Sequence, residues 1–383
     1  MADHMPDDLS AAGKDLRAYT DELRRRHGVV RNIQGEWVLL RHALVVEAAL
    51  GDDRFSSAVS RHLHVPNGMD SVEHAAYREA LDPFLTPQAL APFHEGFRRV
   101  ALELVSSLPR GVAVDAVSEV GVRFAVRAQS TWLGWPTMLE DRLVAWVAEN
   151  HAATRSGDGA WTRKVAESFD DLIRSVLEPR RGATPERDTD DVTSRLMRTQ
   201  VKGRPLTDAE IVSVLRNWTG GDLGSIAQCI GVLLHHLATQ PAVQDRLRSG
   251  VSDAEFDALI DEVLRIDDPF VSNRRVTTCP VTIGGVALPE GARVKLNWTS
   301  ANRDEAVFGD PDIPDPARNA DRNLVYGIGR HACPGRLLAT VEMRIALQAV
   351  LAATSSIVLA PGQPAERAVA PVGGWARVPI VLC

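Results

Sequence analysis

The most informative stretch of this sequence is Tyr326-Gly327-Ile328-Gly329-Arg330-His331-Ala332-Cys333-Pro334-Gly335, which leads into an apolar segment beginning at Arg336. Three glycines within nine residues allow the backbone to fold tightly against a flat ligand, with its N–H groups pointing inward. Pro334 suits the first turn of a helix, so Cys333 is predicted immediately before a helix N-terminus. That position favours a thiolate over a thiol.

A single thiolate on such a loop meets the requirement for axial ligation of haem iron by sulfur. The alternative is a buried, inert cysteine before a helix, which is a common environment for free cysteine. The chain has three other cysteines and no Cys-x-x-Cys pair, so a zinc knuckle or a redox dithiol is excluded.

Composition places the chain among ordinary globular proteins. It has 383 residues, 24% charged and 45% hydrophobic, with a net charge of −7, so neither disorder nor a nucleic-acid surface is indicated. The N-terminus is acidic and has no apolar signal region, and the longest uncharged stretch, 223–244, is too polar for a bilayer span. We therefore expect a cytoplasmic protein without a membrane segment, and a monomer.

The apolar periodicity predicts a mostly helical chain with a small β-rich annex near the C-terminus, as one domain over residues 1–383. A capping box, Thr207 with Glu210, predicts a long helix from there to Thr239, and its uncharged second half indicates that it crosses the centre of the domain. Residues 179–192 are predicted to be a polar linker, and the irregular stretch 301–325 is of the kind that usually serves function. The remaining predicted segments are a strand and helix in 36–50, helices at 72–83, 88–107, 115–135, 140–178, 253–265 and 336–353, strands within 270–298, and a terminal hairpin of 357–359 with 378–382.

The cysteine loop resembles the haem-binding signature of the cytochrome P450 superfamily, Phe-x-x-Gly-x-His/Arg-x-Cys-x-Gly, with Tyr326 in place of the phenylalanine. The resemblance is to soluble bacterial, class I type haem-thiolate monooxygenases. It implies a P450 fold (α+β) with a long central helix over a haem b group (iron protoporphyrin IX), and Cys333 as the thiolate ligand of the iron.

Further segments match the same family in order along the chain. Glu262-Val263-Leu264-Arg265 resembles the Glu-x-x-Arg helix, whose pair locks onto the irregular stretch before the cysteine loop. His74-Ala75-Ala76-Tyr77-Arg78 resembles the His-x-x-x-Arg of the helix over one haem propionate. The run from Ala301 to Arg318 resembles the bacterial members' approach to the cysteine loop.

The resemblance also implies which side chains hold the two propionates. These are His74, Arg78, Arg275 and His331, since Arg and His form charge-assisted hydrogen bonds with buried carboxylates. Arg275 is preferred to Arg274 because Arg-Val-Thr-Thr leads into the following strand, as the family's propionate arginine does.

The long helix departs from the family pattern, in which an acid and an alcohol at its middle deliver protons. The end Leu237-Ala238-Thr239-Gln240-Pro241 resembles the family's helix closure, and counting back from it puts Ser225 at the alcohol position and Gly224 at the acid position. Matching Gly-Gly-Asp instead would make Asp222 the acid and Leu223 the alcohol. We prefer the first register, in which Asp222 lies one turn from Ser225 and is a candidate replacement acid. The equal alternative is that Asp222 bonds elsewhere and the acid is absent.

Fold analogy places the substrate contacts in residues 58–70, in the 150–185 helices, on the long helix and after the Glu-x-x-Arg helix. The predicted pocket residues are His62, His64, Trp218, Phe270, Val271 and Ser272, with Trp298 as a further aromatic candidate. Electrons are expected from a ferredoxin or flavodoxin-type partner, because 383 residues leave no room for a reductase domain. Arg330 and Arg336 could attract such an acidic carrier.

The leading hypothesis is an oxidative enzyme of bacterial secondary metabolism that hydroxylates, O-demethylates or oxidatively couples a small aromatic or cyclic-peptide-like molecule. A peroxide-driven haem-thiolate peroxygenase is the second, motivated by the departure at Gly224. A non-catalytic haem-thiolate sensor or binding protein is the third.

Overall fold

The computed structural model describes residues 4–5, 15–60, 62–181, 190–369 and 372–383, apart from the side chains of His4, Met5 and Asp222. Within these residues helices predominate. The helices are Leu16–Arg26 (α1), His42–Leu50 (α2), Ser71–Leu81 (α3), Pro87–Leu90 (α4), His94–Ser107 (α5), Arg123–Leu133 (α6), Glu140–Ser156 (α7), Gly159–Arg181 (α8), Val192–Met197 (α9), Asp208–Thr239 (α10), Pro241–Arg248 (α11), Asp253–Ile266 (α12), Trp298–Ala301 (α13), Glu305–Phe308 (α14), Pro316–Asn319 (α15) and Arg336–Ala352 (α16).

The strands are short and are spread along the chain. They are His4–Met5 (β1), Val29–Asn32 (β2), Trp37–Leu39 (β3), Phe55–Ser56 (β4), Ala113–Asp115 (β5), Gln200–Val201 (β6), Arg204–Pro205 (β7), Ser272–Thr277 (β8), Val281–Ile283 (β9), Val286–Leu288 (β10), Arg293–Asn297 (β11), Ile357–Leu359 (β12), Glu366–Arg367 (β13), Trp375–Arg377 (β14) and Pro379–Leu382 (β15).

The largest sheet has six strands in the order β1-β2-β3-β11-β8-β4. Strand β11 pairs in parallel with β3 and antiparallel with β8. The periodicity predicts a β-rich region near the C-terminus. The structure differs, because the N-terminal strands β1 to β4 belong to the same sheet as β8 and β11. The terminal hairpin is confirmed, with β12 antiparallel to β15, and β5 joins it as a third strand.

Helix α10 runs through the middle of the structure, as its apolar second half predicts. Its capping box is confirmed, since the Thr207 backbone N–H donates to the Glu210 carboxylate at 2.7 Å and the Glu210 N–H donates to the Thr207 hydroxyl at 3.3 Å. The helix packs against α6, α8, α12 and α16 and against a π-helical turn at Ala116–Val122. It ends at Thr239, where Pro241 starts α11.

Two features at helix ends differ from the sequence expectations, the end of α8 and the place of Pro334. Helix α8 continues through Pro179 to Arg181, so the linker predicted for 179–192 begins inside a helix, and residues 182–189 lie outside the described residues. Arg180 anchors this last turn, since its guanidinium donates to the Gly134 carbonyl at 2.6 Å and pairs with Asp191. Helix α16 begins at Arg336, so Pro334 precedes its first turn.

Residues 301–325 contain only single helical turns, namely α14, α15 and a 3-10 turn at Ala320–Arg322, between irregular segments. Among the described residues, no helix is both long and apolar enough to cross a bilayer.

Candidate active site

A cavity of about 370 Å³ lies between α10, the cysteine loop and strand β8. Cys333 and His331 line it from the loop, Arg275 from β8, and Ser225 from α10. Segments that are far apart in sequence therefore meet at one site, where the cysteine loop lies together with two positions, Arg275 and Ser225, to which the resemblance assigns roles.

The glycines of the loop have the conformation that its tight turn requires. Gly327 and Gly329 have φ of +69° and +74°, in the left-handed region that favours glycine, and the Cys333 N–H closes the loop by donating to the Tyr326 carbonyl at 2.8 Å. A methyl group added at Gly327 would meet no heavy atom closer than 3.9 Å, so the loop leaves open space on its cavity side.

Two cysteines line the cavity from opposite walls, and their environments differ. The Cys333 side chain is exposed, whereas Cys229 is buried in α10, where burial raises the pKa of its thiol and keeps it protonated. Only the loop cysteine therefore combines access to the cavity with a position before a helix.

Arg275 is a buried cation whose charge no described carboxylate balances at ion-pair distance. Its side chain lines the cavity, and its guanidinium donates to the Arg274 carbonyl at 2.8 Å. Burial lowers the pKa of Arg275, with Asp70 opposing this effect. Arg274 instead lies on the surface and pairs with Glu36 at 3.2 Å. A buried cation of this kind requires an anionic ligand.

His74 and His331 contact each other near Arg275, with ring centroids 4.2 Å apart and ring planes tilted by 45°. His74 is buried, and its Nδ1 has no hydrogen-bond partner in the described part of the chain. Burial, together with the nearby His74 and Arg275, lowers the pKa of His331 to about 4. Both imidazoles therefore sit in a positive, desolvated environment.

Arg78 connects α3 to the cysteine loop. Its guanidinium donates to the carbonyls of Arg330 at 3.1 Å and Ala332 at 3.2 Å, and it pairs with Asp82 at 2.6 Å. It thus helps to hold the backbone on which His331 and Cys333 are placed.

These observations fit the haem that the resemblance implies. The uncompensated Arg275 and the unpartnered His74 nitrogen suit the carboxylates of a haem. The open side of the loop at Gly327 suits a flat ring, as does Gly221 on the opposite wall, where an added methyl group would meet nothing within 4 Å.

Glu262 and Arg265 form a fully buried ion pair at 2.8 Å, with 2% and 0% of their side chains exposed. Arg265 also donates to the Asn302 carbonyl at 2.8 Å, and Glu262 accepts from the Asn319 side chain at 2.8 Å. The pair therefore ties α12 to the irregular segment before the cysteine loop, where the resemblance places it.

One face of α10 forms a wall of the cavity. Asn217, Gly221, Ser225 and Cys229 lie on it at intervals of about one turn. Gly224 points away from the cavity towards α7, where a side chain would clash with His151. The predicted role of Asp222 concerns a side chain outside the described residues.

The predicted pocket residues divide into two groups. Trp218 and Phe270 line the cavity, whereas His62 is exposed and His64 is half-buried beyond its wall, where Pro66 and Asn67 take their place. The segment is held this way because the Ser213 hydroxyl donates to the Leu63 carbonyl and the Asn217 amide donates to the Val65 carbonyl.

Two further predicted pocket residues, Ser272 and Val271, do not line the cavity. Side chains alternate along β8, so Asn273 and Arg275 face the cavity while Ser272 and Arg274 do not. Val271 also misses the cavity and packs in the small apolar cluster around α1.

Several cavity residues have no signal in the sequence. Trp132 of α6 lines the cavity beside Trp218, with ring centroids 5.1 Å apart, whereas Trp298, which lines it from the start of α13, is already an aromatic candidate from the sequence. Asn67, Asn217 and Asn273 add amide groups. An isolated tryptophan or asparagine is common in packed cores and loops, so only the folded structure identifies these contacts.

Comparison with known proteins identifies the family. The cytochrome P450 family profile matches residues 156–364. The cyclomarin C epoxidase CymV of Salinispora arenicola is 29% identical over 354 residues, which cover 88% of each chain. The erythromycin C-12 hydroxylase of Saccharopolyspora erythraea is 27% identical over 342 residues, which cover 86% of this chain and 85% of the relative.

The fold agrees with this result. A mutant of P450 EryK in complex with erythromycin B superposes with a TM-score of 0.87 over 99% of this chain and 98% of that one, at 24% identity. The family binds haem through a cysteine thiolate, and the site described above accommodates that group. The chain therefore belongs to the cytochrome P450 family of haem-thiolate monooxygenases.

Proposed function

We propose that this P450 binds haem through Cys333 and oxidises a small aromatic or cyclic-peptide-like molecule of bacterial secondary metabolism. His74, Arg78, Arg275 and His331 would hold the propionates. The bound haem supplies activation of dioxygen, and hydroxylation, O-demethylation and oxidative coupling are the reaction types proposed.

The composition of the cavity wall carries the substrate proposal. Five aromatic side chains, Trp132, Trp218, Phe270, Trp298 and Tyr326, line it together with three asparagines. Aromatic rings stack on aromatic or flat apolar groups, and an asparagine amide offers both a donor and an acceptor to a peptide-like group. Two relatives are named as a cyclomarin C epoxidase and an erythromycin C-12 hydroxylase, which supports oxidation of a secondary metabolite.

A titration of the haem-loaded protein tests the substrate class. Aromatic, cyclic-peptide and aliphatic compounds are added, and binding is followed by the change in the haem absorption spectrum. Aromatic and peptide-like ligands should bind most tightly, and Trp218→Leu should weaken them about tenfold, as expected for loss of an aromatic pair and its buried area. Trp161→Leu, outside the cavity wall, is the control. A preference for aliphatic compounds, unchanged in Trp218→Leu, would overturn this substrate class.

Electron supply is proposed to come from a ferredoxin or flavodoxin-type protein in the cytoplasm, acting on a monomer. Arg330 and Arg336 lie on the loop side of Cys333, where they pair with Asp52 at 2.9 Å and Asp261 at 2.6 Å. These ion pairs hold the two guanidinium groups in place near the thiolate loop. Turnover with each carrier type, across a range of salt concentrations, tests this part of the proposal.

A peroxygenase remains the second candidate because Gly224 provides no acid. Hydrogen peroxide supplies both the oxygen atom and the oxidising equivalents, so that reaction consumes no external electrons or protons. Product formation with peroxide at a rate equal to that with the carrier would favour it. Carbon monoxide binding without consumption of any compound in the panel would instead favour a sensor.

A further inference from the structure

His151 of α7 occupies the space into which a side chain at position 224 would point. A methyl group added at Gly224 would lie 2.9 Å from the His151 Nε2 atom. The imidazole therefore packs against α10 at Gly224, and Ser225, the following residue in sequence, lines the cavity.

His151 lies between solvent and the interior of the protein. The side chain is half-buried on α7, which packs against α6, α8 and α10. Burial and the positive charge of Arg155, one turn along α7, lower the pKa of His151 below its usual value. Among the described side chains, which leave out Asp222, no charged group of α6, α8 or α10 adds to these effects.

The proposed reaction must bring protons to the α10 wall. Insertion of one oxygen atom of dioxygen into a C–H bond takes two electrons from the carrier and two protons, and it yields one alcohol and one water. On this wall the Cys229 thiol is held protonated by burial, so the Ser225 hydroxyl is the described group best suited to pass a proton.

We propose that His151 relays protons from solvent to Ser225 across α10 at Gly224, where no side chain separates the imidazole from the helix backbone. This inference rests on the proposed monooxygenase function. The imidazole accepts a proton on one ring nitrogen and releases one from the other, so it needs no net change of charge per proton transferred. His151 of α7 thus supplies the proton-transfer group that Gly224, which has no side chain, does not provide.

The first test compares His151→Gln with the wild type as haem-loaded proteins supplied with electrons by a ferredoxin. Glutamine keeps the volume and hydrogen-bonding capacity but does not titrate. The rate of dioxygen consumption should fall at least about tenfold, since a positioned acid or base usually contributes more than this. The solvent isotope effect should rise, because proton transfer becomes rate-limiting.

The pH profile adds a readout that a packing role would not change. Protonated imidazole becomes more abundant as pH falls through a pKa below 6.5, so the wild-type rate should rise in that range, and His151→Gln should lose this rise. His236→Gln is the matched control, because His236 is also half-buried with a pKa lowered by burial, at the far end of α10. It should behave as the wild type.

A second variant pair tests the geometry through thermal stability as well as turnover. Gly224→Asp alone should lower the melting temperature, since its side chain collides with His151, and His151→Ala combined with Gly224→Asp should restore it. The double variant should also regain dioxygen consumption, with its pH dependence displaced towards the titration range of a carboxyl group.

The outcomes separate this inference from the proposed function. Failure to bind haem through a thiolate would overturn the function itself. A haem-loaded His151→Gln protein with the wild-type rate and pH profile would overturn the relay alone, as would a loss confined to Asp222→Asn.

Discussion

Arg274 and Arg275 are adjacent in sequence, but they occupy opposite environments. Arg274 is paired with Glu36 at the surface, while Arg275 is buried at the cavity without a described carboxylate within ion-pair distance. An unbalanced buried cation lowers the stability of a protein unless a ligand neutralises it. Arg275 therefore contributes to ligand binding at the expense of the ligand-free fold.

We predict that Arg275→Met weakens haem binding about tenfold to a hundredfold, because a charge-assisted hydrogen bond contributes roughly 1.5–3 kcal/mol. The same change should raise the free energy of unfolding of the haem-free protein, since it removes a buried charge. Haem titration and chemical denaturation measure the two effects. Arg274→Met should leave haem affinity unchanged and should not raise the free energy of unfolding of the haem-free protein. Equal losses of haem affinity in both variants would contradict the assignment of Arg275.

At the scale of elements, the buried Glu262–Arg265 pair fastens α12 to the segment that leads into the cysteine loop. Each partner is bonded to the other and to groups of the irregular stretch, including the Pro311 carbonyl and the Asp315 N–H. Removing one partner leaves the other as a buried charge, which costs about 3–5 kcal/mol.

We predict that Glu262→Gln lowers the free energy of unfolding by about 3–5 kcal/mol. Arg246→Ala breaks the exposed Arg246–Glu255 pair, with side chains 71% and 41% exposed, and should cost less than about 1 kcal/mol. Urea denaturation of both variants checks the contrast. If Glu262→Gln lost no more stability than Arg246→Ala, the locking role of the pair would be refuted.

Sequence patterns predicted most elements because their signals are local. The capping box at Thr207 defined the start of α10, and Pro241 defined its end. Pro179 was misleading, because contacts of Arg180 with Gly134 and Asp191 keep the last turn of α8 helical. Those partners are remote in sequence, so no local pattern reveals them.

At the scale of the whole molecule, the sequence indicates the site residues that belong to motifs. It does not indicate the residues that reach the cavity only because distant elements pack together. The family resemblance implied roles for the cysteine loop, His74, Arg78 and Arg275; the loop and Arg275 line the cavity, while His74 contacts His331 and Arg78 bonds the loop backbone. Trp132 and the three asparagines reach the same cavity only through the packing of α6, α10 and β8. His151 is likewise found only in the structure, because its partner Gly224 has no side chain.

The proposed activity depends on one iron ligand, and the two cysteines of the cavity allow a matched test. Carbon monoxide is bound to the reduced, haem-loaded protein, and its absorption spectrum is recorded for Cys333→Ser and Cys229→Ser. We predict that Cys229→Ser keeps the thiolate-type spectrum and that Cys333→Ser loses it. A thiolate-type spectrum that persisted in Cys333→Ser would contradict the account.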